Sequence, residues 1–188
     1  MRIGVLALQG DFEAHARVLE SLGAEPVLVR TVPDLEGLDG LIIPGGESTT
    51  MTLGIEREGL AGPLRELIGA GTPTLGTCAG LIMLDREHLD LLDMRAERNA
   101  FGRQVKSFES DIDLEGIGPG FHGVFIRAPW VSDHGDGVEV LAEVEGHPVA
   151  VAAGNVLAVA FHPEINGDTR LHEWLLARVQ DNNERGQQ

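Results

Sequence analysis

Cysteine and lysine are both nearly missing from this 188-residue sequence, with one of each. A single thiol excludes a disulfide framework and any zinc site built from several thiolates, and it suits a reducing compartment. The one lysine, Lys106, stands in VKS with no glycine-rich loop before it, which excludes a Walker A phosphate loop. Long apolar runs are absent as well: nothing approaches the roughly 18 residues that span a bilayer. The opening MRIGVLALQG is a short apolar stretch followed by Asp11 and Glu13, unlike a signal peptide. A cytoplasmic chain, mature from Met1 and without a membrane partner, is the expectation.

Positive charge is also scarce. Fourteen Lys and Arg face thirty Asp and Glu, for a formal charge of −16, so the clustered cations that neutralise a phosphate backbone are lacking and nucleic acid is excluded as a partner. The acidity reads as solvation of a surface. At this length one core burying roughly 70% of the unfolded surface is expected, hence a single domain over 1–188.

RIGVLAL, PVLV, GLIIP and TPTLG are short Val/Ile/Leu-rich runs that read as buried parallel strands. Between the first two, Phe12, His15, Ala16, Leu19 and Leu22 share a helical face and Gly23 offers a stop. Ser48, Thr49 or Thr50 is expected to cap a helix after GLIIP. FHGVFIRAP, GVEVLAEVEG, HPVAVAAG and NVLAVAFHP read as hairpin strands added to the sheet, followed by a helix from an Asp168 cap that presents Leu171, Trp174, Leu175 and Val179. The polar end DNNERGQQ, residues 181–188, is expected to fray. The fold class is therefore α/β: an open, mostly parallel three-layer sheet flanked by helices, with antiparallel hairpins added.

The chemistry concentrates in LGTCAGLIML, where a strand runs through G-T-C-A-G into a helical pattern. This is the form of a nucleophile elbow: Gly76 and Gly80 let the turn close, amides at the helix start favour the thiolate of Cys78, and the Ala79 N–H is placed for an oxyanion. A lone cysteine is more often a small buried hydrophobe, so a base and an orienting group are needed to shift that reading. AFHPE supplies them, because His162 and Glu164 are two apart on a strand exit and project to one side. H-x-E alone is weak. His15, His88, His122, His134, His147 and His172 are expected to be solvated or packed at the surface, and none forms an H-E-x-x-H metal site. PGGEST, residues 44–49, follows a strand and offers backbone amides, with Gly46 as a second oxyanion donor. Parallel strands would bring all three segments to one edge of the sheet.

These residues resemble the triad class of glutamine amidotransferases, a class with a flavodoxin-like fold. IGVLALQGDFEAH, IPGGESTTM, GTCAGLI, ERNAFGRQ, GVFIRAP and AFHPE, in that order from residue 3 to 164, resemble in particular the glutaminase subunits of pyridoxal 5′-phosphate synthase. The resemblance implies that Cys78 attacks the amide of L-glutamine to give a thioester, with His162 and Glu164 completing a triad. It also implies that ammonia passes to a separate synthase subunit in a large hetero-oligomer, and that no cofactor or metal is needed. Substrate contacts carry over to Gly46, Glu47 and Ser48, to Arg98, and to Ile126 and Arg127. DREHLDLLDMRA is shorter than the matching stretch in many relatives, and Gln9 and Gly10 are expected near the partner. The alternatives are a glutaminase serving another synthase, a thiol hydrolase or peptidase on a similar fold, and a non-catalytic binding module.

Overall fold

The computed structural model describes residues 1–98, 100–101 and 107–186. Its first half alternates β1 (Arg2–Leu6), α1 (Phe12–Ser21), β2 (Glu25–Val29), β3 (Gly40–Ile43), α2 (Ser48–Arg57), α3 (Ala61–Gly69), β4 (Thr74–Thr77) and α4 (Ala79–Met83). The second half is mostly strand: β5 (Met94–Glu97), β6 (Ser107–Leu114), β7 (Gly118–Ile126), β8 (Trp130–His134), β9 (Glu139–Val144), β10 (His147–Ala153) and β11 (Val156–Val159), closed by α5 (Arg170–Arg185).

A seven-stranded sheet runs β2-β1-β3-β4-β11-β10-β9. The five strands from β2 to β11 are mutually parallel, while β10 pairs antiparallel with both neighbours. Strands β3, β4 and β11 are buried along their whole length, as continuous apolar runs covered on both faces require. The chain moves outward from β1 to β2 and then the opposite way from β3 to β4, so right-handed crossovers put α1 on one face and α2–α3 on the other. Helix α5 joins α1, the two meeting at His15 and His172.

Local chemistry sets the helix ends. Gly23, at φ 78°, stops α1 in the left-handed conformation that glycine adopts without strain. Helix α2 is capped one residue earlier than expected: Glu47, rather than Ser48, Thr49 or Thr50, accepts the amides of Thr49 and Thr50. At α5 the N-cap is Thr169 rather than the expected Asp168, although Asp168 accepts the Arg170 amide.

Three expectations are corrected. FHGVFIRAP forms β7, which pairs with β6 in a separate two-stranded sheet rather than joining the main one. That hairpin packs Phe121 and Phe125 against Phe161 beyond the end of β11. NVLAVAFHP is more than a hairpin strand, because β11 is parallel to β4 and so belongs to the central sheet. The polar end does not fray from residue 181: α5 continues to Arg185, and Asn182 donates to the Gly71 carbonyl and accepts from Asn155, tying the last turns to the entry of β4. Residues 187–188 lie outside the described residues.

Candidate active site

In a parallel sheet every βα loop leaves the same edge, and the strand order here reverses between β1 and β3, where a crevice opens. Gln9–Asp11 follow β1, Gly45–Ser48 follow β3, Cys78 follows β4 and His162 lies just beyond β11. The three segments singled out in the sequence do meet there.

Cys78 has φ 48° and ψ −103°, a conformation that costs a non-glycine residue about 1–3 kcal/mol and persists only when the surroundings enforce it. Its amide donates to the Val159 carbonyl at 2.8 Å, fixing the elbow to β11. Gly80 passes directly beneath the Ile43 carbonyl, leaving no room for a β-carbon. The thiol is nearly buried and lies 3.9 Å from the Ile126 carbonyl oxygen. Helix α4 is only five residues long, so the charge at its start comes from the local free amides, Ala79 first among them, more than from a long dipole.

His162 donates from Nδ1 to Glu164 Oε1 at 2.7 Å, both side chains being buried. The His162 amide donates to the Val124 carbonyl, so β7 holds the loop. With Nδ1 committed to the carboxylate, Nε2 is the ring nitrogen left for the neighbouring Cys78. Burial works against the imidazolium, but hydrogen bonds and charge attraction from Cys78 and Glu164 outweigh it and raise the His162 pKa to about 10.

The remaining expected residues surround a hollow of about 370 Å³, a size suited to a small molecule. Gly46, Glu47 and Ser48 form one wall, Ile126 and Arg127 another, and Ala79 lies at the floor beside Cys78. Arg98 reaches the rim, where it donates to Thr49 Oγ1 at 3.1 Å and lies 3.3 Å from His88 Nε2. His88 is itself held by buried Asp85 at 2.7 Å, so the 85–96 stretch builds a support for Arg98. Glu164 stands behind His162 and does not line the hollow. The Glu47 carboxylate is occupied by its helix amides and Thr50, and the Thr50 hydroxyl bond leads in lowering its pKa to about 2, so this residue offers the hollow its backbone. Asn99 and residues 102–104 of the ERNAFGRQ block, with Val105 and Lys106, lie outside the described residues.

Some site residues were not read from the sequence. Asp11, Ile82 and Pro129 also line the hollow. Gly45 packs against Cys78 and His162, since a β-carbon there would stand 2.5 Å from His162 Cε1 and 3.3 Å from Cys78 Cβ. The surface reading of His15 and His172 is wrong: both are fully buried, 2.9 Å apart, directly behind Glu164. His15 already stood on the apolar face of its helix with Leu19, which was the available signal. Among the described residues, one set with metal-ligand character lies close together, Asp11, His162 and Glu164 within 4.8 Å, but the last two are already bonded to each other.

Similarity to characterised chains agrees with this geometry. A protein from Geobacillus kaustophilus, described as pyridoxal 5′-phosphate synthase subunit PdxT, is 50% identical over 96% of both chains. A protein of the same description from Frankia alni is 54% identical over 91% of both. A crystal structure described as a glutamine amidotransferase is 48% identical, covers 95% of this chain and 98% of its own, and superposes with a TM-score of 0.89. The model of the SNO glutamine amidotransferase family matches residues 5–181, and the chain belongs to that family.

Proposed function

We propose that this chain hydrolyses L-glutamine to L-glutamate and ammonia, and that the ammonia is delivered to a pyridoxal 5′-phosphate synthase subunit in a large hetero-oligomer. The observation that carries the reading is the strained elbow holding Cys78 against a His162 that is itself tied to Glu164 at 2.7 Å. In this mechanism the proton of the Cys78 thiol already resides on His162, and the sulfur attacks the side-chain amide carbon. The Ala79 amide and the Gly46 region stabilise the oxyanion, and His162 returns the proton to the departing ammonia. Water, deprotonated by the same imidazole, then cleaves the γ-glutamyl thioester. Glu164 orients the ring and stabilises its cation without taking the proton.

Gly46, Glu47 and Ser48 offer backbone and hydroxyl groups to the substrate, Ile126 and Arg127 close the opposite side, and Arg98 suits the α-carboxylate as a planar multi-donor cation. The descriptions of relatives about half identical over nearly their full length support the choice of synthase over one making an amino-acid or nucleotide precursor. A nucleophile that must remain a free thiol also suits the reducing cytoplasm. Among the described residues no helix is long and apolar enough to cross a membrane. The test is ammonia release from glutamine, with and without purified synthase subunits of different pathways. Stimulation by another synthase but not by the pyridoxal phosphate enzyme overturns the partner, and absence of hydrolysis with every partner overturns the activity.

A further inference from the structure

Behind the proposed triad lies a second line of buried polar groups that the mechanism does not use. Glu164 Oε2 has no well-aligned hydrogen bond among the described residues, although its carboxylate is fully enclosed. His15 Nε2 on α1 lies 3.3 Å from this oxygen, and the same nitrogen lies 3.3 Å from Thr77 Oγ1. His15 Nδ1 is in turn 2.9 Å from His172 Nε2 on α5, a residue 157 positions away in sequence. Apolar packing alone does not call for paired imidazoles here, since the neighbouring core of Leu19, Leu171 and Leu175 is aliphatic and polar groups are costly to bury.

We propose that His15 is a positioning residue for the triad: backed by His172, it steadies the second oxygen of Glu164, leaving the first fixed on His162 Nδ1. The inference rests on the triad reading above. The proton positions follow from electrostatics. A bare Nε2 lone pair aimed at an ionised carboxylate would repel it, so His15 carries its proton on Nε2, shared between Glu164 and Thr77. His15 Nδ1 is then an acceptor, which requires the His172 proton on Nε2. That leaves His172 Nδ1 as a bare lone pair, and it is the one His172 atom without a partner among the described residues. Burial keeps both rings uncharged, lowering the His15 pKa well below its usual value and that of His172 to about 4. A neutral donor can orient Glu164 without cancelling the negative charge that His162 uses.

The experiment compares wild type, His15→Leu and His15→Gln as full chains bound to the synthase partner. For His15→Leu the expected result is a fall in glutaminase kcat of roughly tenfold or more, the scale of a lost hydrogen bond to a charged group, with KM for glutamine little changed. His15→Gln, which retains an N–H donor, recovers most of the rate. In the free chain, the downfield proton resonance of His162 Nδ1–H shifts or broadens in His15→Leu. Unaltered kcat in a folded His15→Leu chain overturns the role while leaving the triad standing, whereas no turnover by the wild-type complex removes both. Nitrogen-15 shifts of wild type decide the matter even if the leucine variant does not fold: both rings must be Nε2–H tautomers, and a proton on His15 Nδ1 contradicts the proposal.

Discussion

The side-chain oxygen of Gln9 accepts the backbone amide of Glu47, so the loop after β1 holds the loop after β3 at the mouth of the hollow. The held segment is the one expected to contribute to the oxyanion site, and its two glycines allow more than one backbone arrangement. The isolated chain should therefore turn over glutamine slowly, and docking of the synthase should raise the rate severalfold or more. About 1.4 kcal/mol of preferential binding to the competent loop is enough for a tenfold change. Titrating the glutaminase rate with the synthase subunit checks this, and a rate unchanged at saturation rejects partner activation.

The triad residues should fail unequally. His162→Asn is expected to lose about 10³-fold or more in kcat, and Glu164→Gln less, since the carboxylate orients the ring but does not move the proton. A diazo-ketone analogue of glutamine should add once per chain, at Cys78. Mass spectrometry locating the adduct elsewhere would remove Cys78 from its role.

Stability should decline on both sides of neutral pH for different reasons. The folded chain holds the His162 proton up to about pH 10, whereas an unfolded histidine releases it near 6.5. That contribution is complete below pH 6.5 and lost as pH rises toward 10. His172 acts in the opposite sense: it stays neutral in the fold down to about pH 4, while the unfolded chain binds a proton from 6.5 downward. Its effect is a loss of order 3 kcal/mol as pH falls through that interval, and His15 adds in the same direction. Denaturant titrations across pH should show the acid-side loss reduced in His172→Phe, and an unchanged acid limb would contradict buried neutral rings.

Two glycines provide a contrast in packing. Gly80→Ala forces a β-carbon against the Ile43 carbonyl and should destabilise by roughly 1–3 kcal/mol or more. Gly62, in α3, faces open space, so Gly62→Ala should be stabilising by up to about 1 kcal/mol. Thermal unfolding of the two variants tests this, and equal midpoints would show that the elbow relaxes freely.

The parallel strands of the first half and the meeting of Cys78, His162 and the PGGEST loop were legible because each rests on short-range pattern: apolar strands, a glycine-flanked turn and an i, i+2 pair. Residues that act through distant packing were not. The His15–His172 contact joins two helices across almost the whole chain, and nothing local distinguishes His172 from a solvated residue. SFESDIDL does alternate, with Ile112 and Leu114 buried and its charged residues facing out, but its acidity obscured the strand that draws β7 away from the main sheet. The end of α5 was read as frayed from its polarity, whereas Asn182 anchors it through side-chain bonds that composition does not reveal.

The most direct measurement is steady-state ammonia release from L-glutamine by the chain saturated with pyridoxal 5′-phosphate synthase subunit, beside Cys78→Ala under the same conditions. The expected result is catalytic turnover by wild type and none above background by Cys78→Ala, with the variant still folded and still bound to its partner, because the elbow is shaped by its backbone contacts rather than by sulfur. Ammonia released equally fast by Cys78→Ala would contradict the assignment of this crevice as a thiol glutaminase.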